Sequence, residues 1–402
     1  MRRFNAIPVV PPRELYFGGM LVDGGPIWPD FETRGPVRFN RHKPVDRAPH
    51  PYPGPHAAVR QPCVWGGFIQ HHFGHLIADH LTRIVESIAE RPDDLFLFVT
   101  YPGGDARDLP GYFWSIIDWY GLPRSQVKVV TEPTMVAELR CAPQAERLDR
   151  AGPPDHYLGL LDTIMRRNGL VPKPNDILFV TRAGQLQKGK GAHAGEGYLV
   201  RVLRSLGVSV LDPAQASLTD QLASYAGAST VVFSEGSAMH GRQLLGKIAQ
   251  DVVVLRRRIG KSLARDVLIP RCKTLRYVDV GSRFAAPISA DGRLLDAEGI
   301  SFYDTDALFA AFADLGLDLK RHWSEAEFLA VRALEVAAWL DYSGRHGRLS
   351  HESLAALSGT FDAVGLDTIR TASGLRRLNW HTRSLLLKNV GKIVKKRKPW
   401  SN

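Results

Sequence analysis

The chain has 402 residues, 44% of them hydrophobic, which is enough for two domains with sizeable cores and excludes a largely disordered protein. Its three cysteines, Cys63, Cys141 and Cys272, are widely spaced without any Cys-x-x-Cys pair, which argues against a disulfide scaffold or zinc knuckle and for a reducing compartment. The net charge of +11 is concentrated: ten basic residues and no acid follow Asp367, so the rest of the chain is nearly neutral and nucleic acid is not an expected partner.

In chain order, the opening "MRRFNAIPVVPP" is too short an apolar run for a secretory signal, and no segment approaches the length of a membrane span. Residues 1–62 are rich in Pro, Gly and Arg and predict an extended arm. A first domain is expected over 63–150, with a helix near 74–90, a strand at 95–99, a helix near 111–121 and a strand at 127–130. Residues 150–175 read as the connection. A second domain over 170–280 alternates strands at 177–181, 208–211, 230–234 and 252–255 with helices around 196–206, 217–227 and 238–248. Such alternation predicts an α/β fold of two Rossmann-like domains facing a cleft, whose ligands bind beyond the carboxyl ends of the strands. Residues 300–402 read as a helical extension, with starts at Thr305-Asp306, at the capping box Ser324-Glu325-Ala326-Glu327 and at Ser350-His351-Glu352. The tail, residues 384–400, mixes Leu385, Leu386, Leu387, Val390, Ile393 and Val394 with lysines, a composition suited to a helix on an anionic membrane surface or to a solvated basic end.

Three stretches carry candidate chemistry. "TRAGQLQKGKGAHAGEG" (181–197) nearly spells a nucleotide-binding P-loop, but Gly191 stands where a Mg²⁺-ligating Ser or Thr is required, and Gly191, Gly195 and Gly197 postpone the helix. What remains is a strand end with Arg182, Lys188 and Lys190, an expected anion site. The third strand of that domain, 230–234, ends in "SEGSAMHG", where Glu235, Gly236 and Ser237 turn towards a helix whose free N–H groups suit a phosphate. "QHHFGHLIADH" places His71, His75 and Asp79 four apart, on one helical face, as metal ligands or as a histidine base oriented by a carboxylate, with Arg83 one turn beyond.

These residues together resemble glycosyltransferase family 61, the capsular-polysaccharide type. Arg182 matches the arginine that ends a strand in that family, and Lys188 or Lys190 takes its second basic place. Glu196 matches the acid of an Asn-Glu pair, with Gly195 for the Asn; Gln221 matches a helix glutamine and Gly236 the glycine of a His-Gly-Ala turn. His75, Asp79 and Arg83 fit its N-terminal stretch. The chain departs from the pattern at Glu235, which replaces the turn's His, and at Ser237, which replaces its Ala; His240 lies near a late Asn.

The resemblance implies a GT-B fold and an inverting, metal-independent transfer with a nucleotide-sugar co-substrate and no further cofactor. It implies a donor held by Arg182, Lys188, Lys190, Glu196, Glu235, Gly236, Ser237 and His240, and a saccharide or lipid-linked acceptor deprotonated by His75 with Asp79. It also implies cytoplasmic polysaccharide biosynthesis, peripheral to the membrane. Two other readings stay open at this stage: a metal-dependent hydrolase built on His71, His75 and Asp79, and a non-catalytic polysaccharide-assembly protein of the same fold.

Overall fold

The computed structural model describes residues 1–366 apart from 17–20, 30, 32–38, 41–42, 45, 48–49, 149–151, 172–175, 290–291, 347 and 350. The basic tail at 384–400 lies outside the described residues. The chain is mixed α/β and divides into two compact units. The first comprises Met1–Val180, Leu211–Val254 and Ser262–Tyr277; the second comprises Thr181–Val210, Leu255–Lys261 and Val278 onwards. Residues 170–280 therefore contribute to both units.

The first unit carries a seven-stranded sheet. Its parallel part runs Val127–Val129, Leu95–Val99, Cys63–Phe68, Thr134–Cys141. All six residues of Cys63–Phe68 are buried, as expected of a strand covered on both faces, where periodicity of two disappears. Arg2–Val10, read above as part of an irregular arm, is a nine-residue strand that continues the sheet antiparallel to Thr134–Cys141. Ile7 and Val9 are buried in the core on one side of it, while Pro8, which has no N–H, still accepts through its carbonyl from Ile27. The helix Gly111–Tyr120 ends at Gly121, whose φ of 70° supplies the left-handed cap. Residues 150–175 are more than a connection, since Asp155–Arg167 forms a helix with Tyr157, Leu158 and Leu161 in the core.

A second sheet runs in the order Ser209–Leu211, Asp176–Val180, Ala228–Ser234, Asp251–Arg256, Thr274–Asp279, with Asp176–Val180 parallel to Ala228–Ser234. The helix Leu218–Gly227 starts at Ser217, whose hydroxyl accepts the Asp220 N–H.

The helix expected at 238–248 is absent in that form. Ser237–Leu244 is a 3₁₀ run. Two of its carbonyls take side chains from elsewhere: Tyr225 Oη donates to Ala238 O at 3.3 Å and Trp119 Nε1 to Leu244 O at 3.2 Å. Arg242 Nη1 donates to Gly246 O at 2.9 Å, just beyond the run. These bonds supplement the run's own i→i+3 hydrogen bonds, such as Leu245 N–H to Arg242 O at 3.2 Å.

In the second unit, His193–Ala194, Ile300–Tyr303 and Gly281–Ala285 form a three-stranded sheet. Helices span Glu196–Ser205, Thr305–Ala313, Glu325–Arg345 and His351–Asp362. Thr305–Ala313 is capped by Asp304 rather than by the following Thr-Asp pair, and Ser324 caps Glu325–Arg345 as its sequence predicts. Phe302, Trp339 and Phe361 centre the core.

Candidate functional site

The helix expected across 74–90 is broken into three pieces. Phe73–His75 is one α-turn, Leu76–His80 is a π-helical turn in which Leu81 N–H reaches Leu76 O at 2.9 Å, and Ile84–Glu90 resumes the α-helix. A π-turn spends an extra residue without adding a hydrogen bond, and such turns gather at functional sites. Here it carries Asp79, 1% exposed, whose Oδ2 accepts from His75 Nδ1 at 2.9 Å. About a third of the His75 side chain is exposed, at 32%. The bond to a carboxylate puts the proton on Nδ1 and the lone pair on Nε2, at the edge of a ring that solvent reaches.

His71 does not join them. Its Nε2 lies 3.3 Å from Thr100 Oγ1 and its ring packs on Tyr101 with centroids 4.4 Å apart, and burial lowers its pKa below the usual imidazole value. The expected common face of His71, His75 and Asp79 fails because residue 71 precedes the helix. Among the described residues no three His, Cys, Asp or Glu side chains converge as a metal site would require. Arg83 is buried and donates through Nη1 to Cys141 Sγ at 2.9 Å.

The Ser234–His240 turn comes to this dyad within the same unit. Gly236 is extended at φ 174°, and Ser237 opens the 3₁₀ run at the carboxyl end of Ala228–Ser234. The contact is made possible by Gly74: a Cβ there would lie 2.8 Å from His240 Cδ2, 3.4 Å from His240 Nε2 and 3.3 Å from Ser237 Cβ. His75, Asp79, Ser237 and His240, which the sequence divides between an acceptor and a donor domain, thus occupy one neighbourhood. Glu235 is buried, at 1%.

His240 is held by residues that sequence reasoning missed. Its Nδ1 is 2.6 Å from Gln243 Oε1; Gln243 Nε2 donates to Glu146 Oε1 at 3.1 Å; and Glu146 pairs bidentately with Arg271, Nη1 to Oε2 at 2.7 Å and Nη2 to Oε1 at 2.9 Å. Gln243, three residues after His240 in a helical stretch, had a spacing signal. Glu146 and Arg271 had none, being 125 residues apart.

The other expected donor residues lie in the second unit. Arg182 donates through Nε and Nη2 to Gly191 O at 2.9 and 2.6 Å, which closes the 182–191 loop on itself. Glu196 is buried and accepts from Thr181 Oγ1 at 2.7 Å, so it anchors the strand end. Lys188, in a 3₁₀ turn, and Lys190 are exposed.

The start of the helix Glu196–Ser205, where a P-loop would hold phosphate, is filled from within. The Glu335 carboxylate accepts from Gly195 N at 2.6 Å and Gly197 N at 3.0 Å. Burial pushes the Glu335 carboxyl up to about 7, against the pull of those N–H groups.

Among the described residues no helix is long and apolar enough to cross a membrane. Comparison with known protein families gives no match, and comparison with curated proteins gives none.

Proposed function

We propose that the chain is a glycosyltransferase of the GT-B type, with two Rossmann-like domains. It moves a sugar from a nucleotide-sugar donor to a saccharide or lipid-linked acceptor in cell-surface polysaccharide biosynthesis, with inversion and without a metal ion. The observation that carries this reading is the His75–Asp79 dyad set against the turn at the carboxyl end of Ala228–Ser234. A transfer to a hydroxyl needs a base for the acceptor proton and dipoles or cations for the leaving diphosphate. His75 Nε2 takes the acceptor proton, and Asp79 steadies the imidazolium. The Gly236–Ser237 backbone and Ser237 hydroxyl meet the nucleotide, together with Glu235 and His240. Within the second unit, the exposed Lys188 and Lys190 attract an anion through their side chains, in a loop that Arg182 closes on Gly191 O and beside a helix start that Glu335 already occupies. Glu196 supports Arg182 through the strand end. The enzyme works at the cytoplasmic face, with the tail at 384–400 on the membrane.

The test is a thermal-shift panel with UDP, GDP, TDP and CMP, with and without Mg²⁺, followed by turnover with the matching nucleotide-sugar. A ligand that binds only the folded state raises Tm by mass action. A shift with one nucleotide, independent of metal and followed by transfer, supports the reading. No shift with any nucleotide, or metal bound to the purified protein, overturns it.

A further inference from the structure

We infer that the second unit carries a separate binding site for an anionic saccharide, one bearing uronic-acid carboxylates, between the helix Glu196–Ser205 and the segment 320–327. A cavity of about 470 Å³, open to solvent, lies there, a size usual for small-ligand sites. One wall is a single helical face, since Arg201, Val202 and Ser205 stand three, four and seven residues on from Tyr198. The other wall runs from the 3₁₀ turn Lys320–His322 through Trp323 to the first turn of Glu325–Arg345, and brings Arg321, His322 and Glu327.

Three contacts hold the walls together. Ser324 N–H donates to Tyr198 Oη at 2.6 Å, the Tyr198 and Trp323 rings meet edge to face with centroids 4.7 Å apart, and Arg201 Nη2 lies 3.5 Å from Glu327 Oε2. The fold therefore sets the shape of the cavity before any ligand arrives.

The lining points to the ligand class. Arg321 is exposed, and its guanidinium has no partner among the described residues; such a fork matches a carboxylate bidentately. Arg201 and His322 add donors against Glu327, the one acid among the described lining residues, so the cavity favours an anion. A phosphate would look for backbone N–H groups at the helix start, and there the Ser324 hydroxyl already takes the Glu327 N–H at 3.4 Å.

Two hydroxyls offer complementary halves of a hydrogen bond. Tyr198, 4% exposed, accepts through Oη from Ser324 and keeps its O–H to donate; Ser205 donates to Val202 O at 2.7 Å and keeps its oxygen to accept. Sugar hydroxyls, each donor and acceptor at once, fit that pair. The half-buried Trp323, whose Nε1 donates to Glu325 at 3.0 Å, supplies apolar surface for the C–H face of a pyranose ring. None of these residues takes part in the transfer chemistry proposed above, so the site binds saccharide whether or not the chain transfers a sugar.

The experiment is isothermal titration of the full chain with trigalacturonate at about 0.15 M salt, where attraction to distant charges is screened. Maltotriose and UMP are the neutral and the phosphate-bearing comparisons. Trigalacturonate is expected to bind saturably and maltotriose at least about ten-fold more weakly, the value of one charge-assisted hydrogen bond. Arg321→Gln, which changes an exposed side chain and leaves the melting curve in place, is expected to weaken trigalacturonate about ten-fold, and Arg321→Lys by less. In ¹H–¹⁵N spectra the Trp323 indole signal, assigned with Trp323→Phe, is expected to shift on binding. Absence of trigalacturonate binding, equal affinity in Arg321→Gln, or an unmoved Trp323 signal overturns the site. Maltotriose or UMP bound as tightly as trigalacturonate overturns the ligand class.

Discussion

The His240 ring lies against the bare Cα of Gly74, where a Cβ would stand 2.8 Å from Cδ2. Alanine is the better helix former by about 1 kcal/mol, so Gly74→Ala would stabilise an isolated turn. Here the neighbour cannot retreat, because Gln243 and Glu146 hold the ring. Overpacking of this kind costs about 1–3 kcal/mol. The expected result is net destabilisation in urea unfolding, with a lower midpoint and an unchanged slope. Stabilisation would show that the ring moves freely.

Asp79→Asn keeps the shape of the dyad and removes the carboxylate that accepts the His75 Nδ1–H hydrogen bond. On the transferase reading, turnover falls about 10²–10⁴-fold, the usual contribution of a positioned base. Nucleotide binding in the thermal-shift assay stays as it was. Undiminished turnover would exclude His75 as the base.

Glu335 links stability to pH. Its carboxyl is raised from 4.5 to about 7 by burial, with Glu196 adding repulsion. Between those values the folded chain holds a proton that the unfolded chain has lost. Its contribution is therefore full at low pH and declines by about 3 kcal/mol as pH rises to 7, at 1.36 kcal/mol per unit. His193 acts in the opposite sense below 6.5, since burial, aided by Arg257 and Arg182, pushes it down to about 3. The difference between Glu335→Gln and wild type isolates the Glu335 part. Unfolding free energies measured from pH 5 to 8 are expected to favour the variant increasingly as pH rises. Parallel curves would contradict this.

The buried Arg271–Glu146 pair gives a fourth expectation. Removing one partner strands a charge among Leu245, Val267 and Gln243 and costs about 3–5 kcal/mol. Arg271→Met and Glu146→Leu should each destabilise by that amount, and the double variant by clearly less than their sum. A double-mutant cycle by denaturant unfolding measures it.

Local pattern made much of the α/β layout readable before the structure. "LFLFV" and "ILFVT" are apolar runs of strand length, and Ser217 and Ser324 carry the helix starts that their side chains cap. The failures share one cause. Ser237–Leu244 is a 3₁₀ run in which distant side chains, Tyr225 and Trp119, take the carbonyls of Ala238 and Leu244. The pattern around His75 gives no hint of a π-turn, since spacing of four suits an ordinary helix equally well.

The sequence by itself determined that His75 and Asp79 would meet once residues 73–80 turned helically, because residues four apart on such a turn are neighbours, whereas His71, equally spaced but ahead of the helix, does not join them. It also determined that Ser237 would stand at a strand's carboxyl end. Only the tertiary structure decided that Gly74 and His240, far apart along the chain, would touch, and that Glu335 would occupy the helix start after Gly195. It alone linked His240 through Gln243 to Glu146 and Arg271. Those are contacts between distant segments, chosen by which packing leaves the fewest buried groups unsatisfied, and no local spacing encodes that choice.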